Sequence, residues 1–300
     1  GSILGTTNRG DPFEWPVRRD GEVVDHRDRS DEVVEAFRRR GLDCLVAIGG
    51  DGSLALANRL SDKGLPVVGV PKTIDNDVAG TDFTFGFHTA VETATEAIDK
   101  LHTTAQAHQR VMVVEVMGRD AGWIALYSGL AGVAATILIP EIPFRYEAVC
   151  EKLLERERRG RDFGVVCVAE GARPHDRSEA VTKEVPSGSE TQTRLGGIGA
   201  VVAEEIAERT GKETRSLVLG HLQRGGAPCP YDRHIALRFG AAAIRCIAEG
   251  QPGCMVGLRA DGMTRTPLDQ ALREKKYVDP GGEVVTTARE LGIAFGDEEV

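Results

Sequence analysis

The residues of this chain best suited to chemistry sit in short polar motifs, each placed directly after an apolar run. Gly49-Gly50-Asp51-Gly52-Ser53 follows residues 43–48 (DCLVAI) and opens a helical pattern over 54–60. Glycines let a backbone approach phosphate closely, and the start of a helix favours anions. Asp51 adds a hard oxygen ligand of the kind that holds Mg²⁺ together with waters and nucleotide phosphates. The alternative is a tight turn in which Asp51 or Ser53 caps the helix. Pro71-Lys72-Thr73-Ile74-Asp75-Asn76-Asp77 follows the next apolar run, residues 66–70. Its two carboxylates flank an amide, and like charges so close push one pKa upward, which suits proton abstraction. An Asx turn with no chemistry would use the same residue types.

Three further motifs have the same placement. Met117-Gly118-Arg119-Asp120 follows residues 110–116, Glu170-Gly171 follows 163–169, and Gly220-His221-Leu222-Gln223-Arg224-Gly225-Gly226 follows 215–219. Arginines in such positions hold phosphate bidentately and offset charge that develops during transfer. Singly, each reads more readily as a surface arginine or a satisfied loop histidine. Together they put acceptors and cations at successive strand ends.

The elements that must position these motifs alternate. Apolar runs at 43–48, 66–70, 110–116, 136–139, 163–169, 215–219 and 255–258 predict strands. Helical patterns fall at 54–60, 89–107, 122–132, 146–159, 198–209 and 233–249. Such alternation predicts an α/β protein with parallel sheets covered on both faces, and ligands in such sheets sit beyond the carboxyl ends of the strands. Residues 11–31 and 172–193 are polar excursions, read as surface loops or small hairpins. The charge run at 151–161 reads as a solvated helix face.

Composition narrows the partners. A net charge of −9 argues against a nucleic-acid binder, whose affinity comes from phosphate neutralisation. The six cysteines form no C-x-x-C pair and are expected as free core thiols in a reducing compartment. The scattered histidines offer no zinc spacing. No apolar run is long enough to span a bilayer and no signal peptide is visible, so a cytoplasmic protein with no membrane contact is expected.

GGDGS, PKTIDNDV, HQRVMVVEVMGRDAG, VAEG and RSLVLGHLQRGGAPCPYDR stand here in the order and context of the phosphofructokinase family. The chain resembles that family from the ILGTT segment at Ile3 to about Gly250. NAD kinases and diacylglycerol kinases resemble only the first motif. The resemblance implies two similar Rossmann-like parallel-sheet layers with the active site in the cleft between them. It implies a nucleotide-binding part over 1–115, a sugar-phosphate-binding part over 116–250 and a segment over 251–300 returning to the first part. The implied reaction moves the γ-phosphoryl of ATP, with Mg²⁺, to the 1-hydroxyl of fructose 6-phosphate. Asp51 matches the metal ligand, and Gly50, Asp51, Gly52 and Ser53 match the nucleotide-phosphate loop. Thr73, Ile74 and Asp75 match a sugar-contacting stretch with Asp75 as the base. Met117, Gly118 and Arg119 match a second such stretch, with Arg119 also stabilising the transferring group. Glu170 matches a carboxylate that binds sugar hydroxyls. His221, Leu222, Gln223 and Arg224 match substrate-binding positions. Arg110 and Arg215 match arginines that reach the 6-phosphate from a neighbouring subunit, which implies a homodimer or homotetramer with shared sites.

The chain departs from the family pattern at its start. Members normally begin with a strand and a GGDxPGxN loop, whereas this chain opens at GSILGTT, so a fragment or truncated chain is the expectation. The arginine usual after the ILGT segment appears as Asn8 followed by Arg9, and both stay candidates for nucleotide contact. Two positions bear on the phosphoryl donor. Gly52 leaves open the space that an aspartate fills in pyrophosphate-using relatives, which favours ATP. Lys72 is shared with pyrophosphate users and with some ATP users. ATP is therefore the expected donor, with a pyrophosphate-dependent enzyme or an inactive fragment of the family as the alternatives.

Overall fold

A computed structural model gives the structure of the protein over residues 5, 10–176, 180–183, 194–260 and 262–299. An antiparallel hairpin of β1 (Trp15–Arg19) and β2 (Glu22–Arg27) leads into α1 (Ser30–Arg39). Then come β3 (Leu45–Gly49), α2 (Asp51–Asp62), β4 (Val67–Thr73), the short β5 (Phe85–Gly86) and α3 (Phe87–His108). The middle of the chain forms β6 (Val111–Val116), α4 (Trp123–Ala131), β7 (Thr136–Leu138), α5 (Tyr146–Arg158) and β8 (Gly164–Ala169). A small pair, β9 (Thr182–Lys183) and β10 (Arg194–Leu195), precedes α6 (Ile198–Thr210) and β11 (Thr214–Val218). A 3₁₀ turn over Gly220–Arg224 leads to α7 (Pro230–Ala248), β12 (Cys254–Arg259), β13 (Gly262–Pro267), α8 (Leu268–Ala271) and α9 (Glu283–Glu290).

These strands build two sheets. The first runs β13-β12-β4-β3, with β5 also paired to β4; the second runs β11-β6-β8-β7. Every pairing in the second sheet is parallel, as are β3 with β4 and β4 with β12. The expected parallel α/β architecture is therefore present. Its physical signature is clearest in β8, whose six residues GVVCVA are all buried, as a strand covered on both faces must be. The helix α3 buries Phe87, Ala90, Ala94, Ile98 and Ala105, a stripe at helical spacing, in the core shared with β6 and α4.

Three details differ from the sequence expectation. The helix expected over 54–60 starts at Asp51, because Gly50 takes an extended conformation and Asp51 already lies in the first turn. The strand β13 was hidden because GMTRTP is polar; it pairs antiparallel at the sheet edge, where a strand needs no apolar run. The chain end also does more than extend the first sheet. Val285, Ala288, Ile293 and Phe295 pack into the core beside β7 and α4, and the Ile137 N–H donates to the Ala294 carbonyl. The charge run near 151–161 ends α5 in surface ion pairs, among them Arg159 with Glu155. The six cysteines are free thiols. No helix among the described residues is long and apolar enough to cross a membrane.

Glu115 is a charged residue buried in the second sheet's core, only 3% exposed. Its carboxylate accepts from Gly197 N at 2.9 and 3.0 Å and from Gly199 N at 2.8 Å, where α6 begins. It so satisfies donors that a helix start leaves open. Glu115→Gln removes the charge and sets an amide NH₂ against the Gly197 N–H in place of one acceptor oxygen. We expect a loss of about 1–3 kcal/mol, read from urea unfolding; an unchanged midpoint would deny Glu115 this role.

Candidate active site

The first sheet supplies the acidic side of the site. Beyond β3, Gly50 sets Asp51 into the first turn of α2. A side chain at Gly49 would come within 2.4 Å of Ser53 Cβ, so the glycine lets the helix start close over the strand end. Beyond β4, Thr73 Oγ1 fixes Asp75 twice: it donates to Asp75 Oδ2 at 3.1 Å and accepts from the Asp75 N–H at 3.2 Å. Asp75 Oδ1 is buried and accepts no hydrogen bond from the described residues. Asn76 holds a left-handed backbone (φ 54°), which asparagine tolerates. Its Oδ1 accepts from Thr84 N at 3.0 Å and from Lys276 Nζ at 3.0 Å. The amide between the two aspartates is thus a structural hinge of the loop.

The second sheet supplies cations. After β6, Met117 N donates to Gln223 Oε1 at 2.8 Å, which ties the end of β6 to the 3₁₀ turn after β11. Arg119 sits in the left-handed region (φ 53°) and its N–H donates to Glu170 Oε1 at 3.0 Å. That carboxylate offsets a backbone conformation costing on the order of 1 kcal/mol. A side chain at Gly171 would meet the Arg119 carbonyl oxygen at 2.1 Å, so only glycine allows this approach. Arg224 Nη2 lies 4.0 Å from Asp75 Oδ1. Lys275 Nζ lies 2.8 Å from Asp120 Oδ2 and 3.5 Å from Asp51 Oδ2. Both contacts cross from one sheet's loops to the other's. A cleft of about 420 Å³ opens against Arg119, Asp120, Gly171 and Tyr277.

Burial shapes the electrostatics. It pushes the Asp75 carboxyl above the usual range, against the opposing pull of Arg224 and of the Thr73 hydroxyl. Asp77 is pushed up to about 6, first by burial and then by the charges of Asp75 and Asp51. Burial also raises Glu170 and Glu141. Lys276 is pushed down to about 8 by burial, although it donates to Asn76 Oδ1, Thr81 O and Asp82 O.

The structure gathers Asp51, Thr73, Asp75, Arg119, Glu170 and Arg224 at one end of the two sheets. Gly50, Gly52 and Ser53 line the α2 start, with Gly52 and Ser53 exposed, and Ile74 packs beneath the loop into the core. Gly118 precedes Arg119 in a glycine-only conformation (φ 145°). His221 and Leu222 project from the 3₁₀ turn, Leu222 70% exposed, whereas Gln223 is buried. Arg110 and Arg215 are elsewhere. They sit at the opposite ends of β6 and β11, both paired with Glu213, roughly 20 Å from the cluster by strand rise. Asn8 and Arg9 lie outside the described residues.

The sequence gives Asp77 a role only as the second carboxylate of its motif, and no motif contains Lys275, Lys276 or Glu141. In sequence, Lys275 and Lys276 stand in LREKKYVDP, which has no glycine and no preceding apolar strand. Such a stretch looks like solvated charge. Only tertiary contacts carry it to the cleft. For a divalent cation the donor set is hard oxygen, led by half-buried Asp51, and no cluster of three ligating side chains occurs among the described residues. That fits Mg²⁺, which takes one or two carboxylates and completes its shell with phosphates and water.

Comparison with known proteins agrees with the geometry. Residues 1–247 match the family described as Phosphofructokinase. The chain is 51% identical over 298 residues to the ATP-dependent 6-phosphofructokinase of Chloroflexus aurantiacus, covering 99% of this chain and 80% of that protein. It is 49% identical over 281 residues to the pyrophosphate–fructose 6-phosphate 1-phosphotransferase of Amycolatopsis methanolica, covering 93% and 78%. The crystal structure of Pichia pastoris phosphofructokinase in the T-state superposes with a TM-score of 0.77 at 30% identity, covering 97% of this chain and 29% of that longer one. The chain belongs to the phosphofructokinase family.

The Asp77 shift has a consequence for stability. Its folded pKa lies above the unfolded value of 3.8, so between about pH 4 and pH 6 the native state keeps a proton the unfolded chain has released. Stability therefore falls as pH rises through that window and levels off above it, by up to about 3 kcal/mol. Asp77→Asn should remove this contribution and be the more stable form at pH 7. Urea unfolding at pH 4.5 and 7, with chelator present, compares the two; an identical pH dependence in both proteins would refute the assignment.

Proposed function

We propose that this protein is an ATP-dependent 6-phosphofructokinase, transferring the γ-phosphoryl of ATP to the 1-hydroxyl of fructose 6-phosphate. The observation that carries the reading is Asp75. One of its carboxylate oxygens is held by Thr73 and the other is buried, faced by Arg224 at 4.0 Å and without a hydrogen bond from the described residues. A buried acceptor left open in this way suits a substrate hydroxyl, and burial raises its pKa, which makes it the stronger base.

In this reading Asp75 Oδ1 takes the proton of the sugar hydroxyl as the new O–P bond forms and the bond to ADP breaks. Arg119 offsets charge on the transferring group, and its backbone is fixed for that by Glu170. Gly50, Gly52 and Ser53 hold the donor phosphates at the start of α2. Asp51 would hold Mg²⁺, which when bound supplies positive charge to those phosphates. Residues 1–115 and 251–300 would serve the donor and 116–250 the sugar phosphate, with Ile74, Met117, Gly118, His221, Leu222 and Arg224 toward the sugar. Gln223 would act from beneath, through Met117.

Arg110 and Arg215 lie too far from their own Asp75 to share its substrate. A homodimer or homotetramer in which they serve a neighbouring site accounts for them. Exposed Leu217 and Val218 on the edge strand β11 suit such an interface. Free thiols suit the cytoplasm.

Asp75→Ala should lower kcat by roughly 10²–10⁴-fold while changing fructose 6-phosphate affinity far less. Steady-state kinetics and equilibrium binding of the sugar phosphate check this, and near-normal kcat would sink the base assignment.

Lys72 and the Amycolatopsis relative favour pyrophosphate as the second reading. Gly52 weighs for ATP, because a side chain there would meet nothing within 4 Å and the space beside Asp51 is open. Gly52→Asp fills it with negative charge. ATP-dependent kcat/KM should drop by roughly 100-fold or more, and weak pyrophosphate activity should emerge. Turnover of the unmodified protein on pyrophosphate with none on ATP would reverse the donor choice.

A further inference from the structure

Lys275 lies outside every motif of the site, yet its ammonium lies 3.5 Å from Asp51 Oδ2 and 2.8 Å from Asp120 Oδ2. Its position is set by backbone bonds. Lys275 bridges Val78 in an antiparallel pairing, and Lys276 N donates to the Asp77 carbonyl at 2.9 Å. On the other side, Trp123 Nε1 donates to the Lys276 carbonyl at 2.8 Å and Val278 N donates to Glu141 Oε1 at 2.9 Å. The same Glu141 accepts from Gly122 N, at the start of α4. The segment is thus fastened to the loop after β4 and to the loop after β6 at once. It delivers a lysine side chain to the gap between them.

Charge explains what the lysine is for. Asp51 and Asp120 both carry negative charge beside the lysine, Asp51 at the start of α2 and Asp120 against the cleft, so a polyphosphate entering there meets like charge. A surface ion pair would add little by itself. Lys275, however, stands at the start of α2, where phosphate binds best. A lysine is a mobile point charge on a flexible stem, able to exchange a carboxylate for a phosphate. Asp120 also lies 3.9 Å from Arg119 Nε, so it is shared between the two cations.

We propose that Lys275 is a donor-phosphate-binding residue: it rests on Asp51 and Asp120 and turns to the phosphates of the nucleotide when that ligand enters. The proposal rests on the phosphoryl-transfer reading above. A clasp joining the two loops is the competing role, and it predicts different measurements. A clasp would affect both substrates and the folding midpoint. A phosphate ligand affects the donor.

The test uses the whole protein with Lys275→Gln and Lys275→Arg. Turnover of the unmodified protein on ATP is measured first; its absence would overturn the functional reading itself. ATP binding is then measured by titration calorimetry without sugar phosphate, alongside KM for each substrate and the thermal midpoint. For Lys275→Gln we expect ATP binding and kcat/KM for ATP to weaken by roughly 10- to 100-fold, the worth of a charge-assisted hydrogen bond. The fructose 6-phosphate KM should stay within about twofold and the midpoint within roughly 2–4 °C, the shift that about 1 kcal/mol produces. Lys275→Arg should recover part of the loss. Unchanged ATP binding overturns the proposal. So does an equal loss for both substrates with a lowered midpoint and no rescue by arginine. If Lys275→Gln does not fold, Asp120→Asn frees the ammonium of a competitor and should tighten ATP binding; unchanged or weaker binding there overturns the proposal.

Discussion

Like-charge crowding governs this site. Asp51, Asp75 and Asp77 crowd at the strand ends of the first sheet, and burial of Asp75 and Asp77 makes their repulsion stronger than it would be in water. Asp77 answers by holding its proton up to about pH 6. Asp75 is raised by burial too, against the pull of Arg224 and Thr73. The cations that make the arrangement tolerable come from separate parts of the chain: Arg224 after β11, Arg119 after β6 and Lys275 near the end. The two sheets must hold their relative positions for these charges to match.

That positioning depends on polar side chains that accept from backbone N–H groups. Glu170 holds the Arg119 backbone, Gln223 holds Met117, Glu115 holds the start of α6, and Glu141 joins Gly122 to Val278. Each takes up N–H groups that the ends of strands and helices leave open. Inside a protein such bonds are strong, and breaking one leaves a costly orphan, so they fix the loops in one geometry. Lys276 plays the same part with its ammonium, crossing from the chain end to three acceptors in the loop after Asp75. The acid–base chemistry and the scaffold thus share one network.

The sequence by itself determined the class of fold. Runs such as GVVCVA, short, rich in valine and bounded by turn residues, read as strands buried on both faces, and their alternation with amphipathic helices leaves parallel sheets as the economical packing. It also determined where chemistry could occur, because glycine and carboxylate motifs after strands mark sites by local physics: a helix start, a tight turn, a close backbone approach. Asp51, Asp75, Arg119, Glu170 and Arg224 were legible in this way. Local physics could not say which polar residues face inward. Gln223 sits in the same motif as exposed Leu222, and only the 3₁₀ turn sends its amide beneath Met117. Nor could it tell that the Asn76 amide is pinned by Thr84 and Lys276, or that both flanking acids are raised by burial. The tertiary structure alone brought in Lys275, Lys276 and Glu141. Their side chains act across more than a hundred residues of sequence, and hydrogen bonds and ion pairs over such distances leave no periodicity or spacing to read.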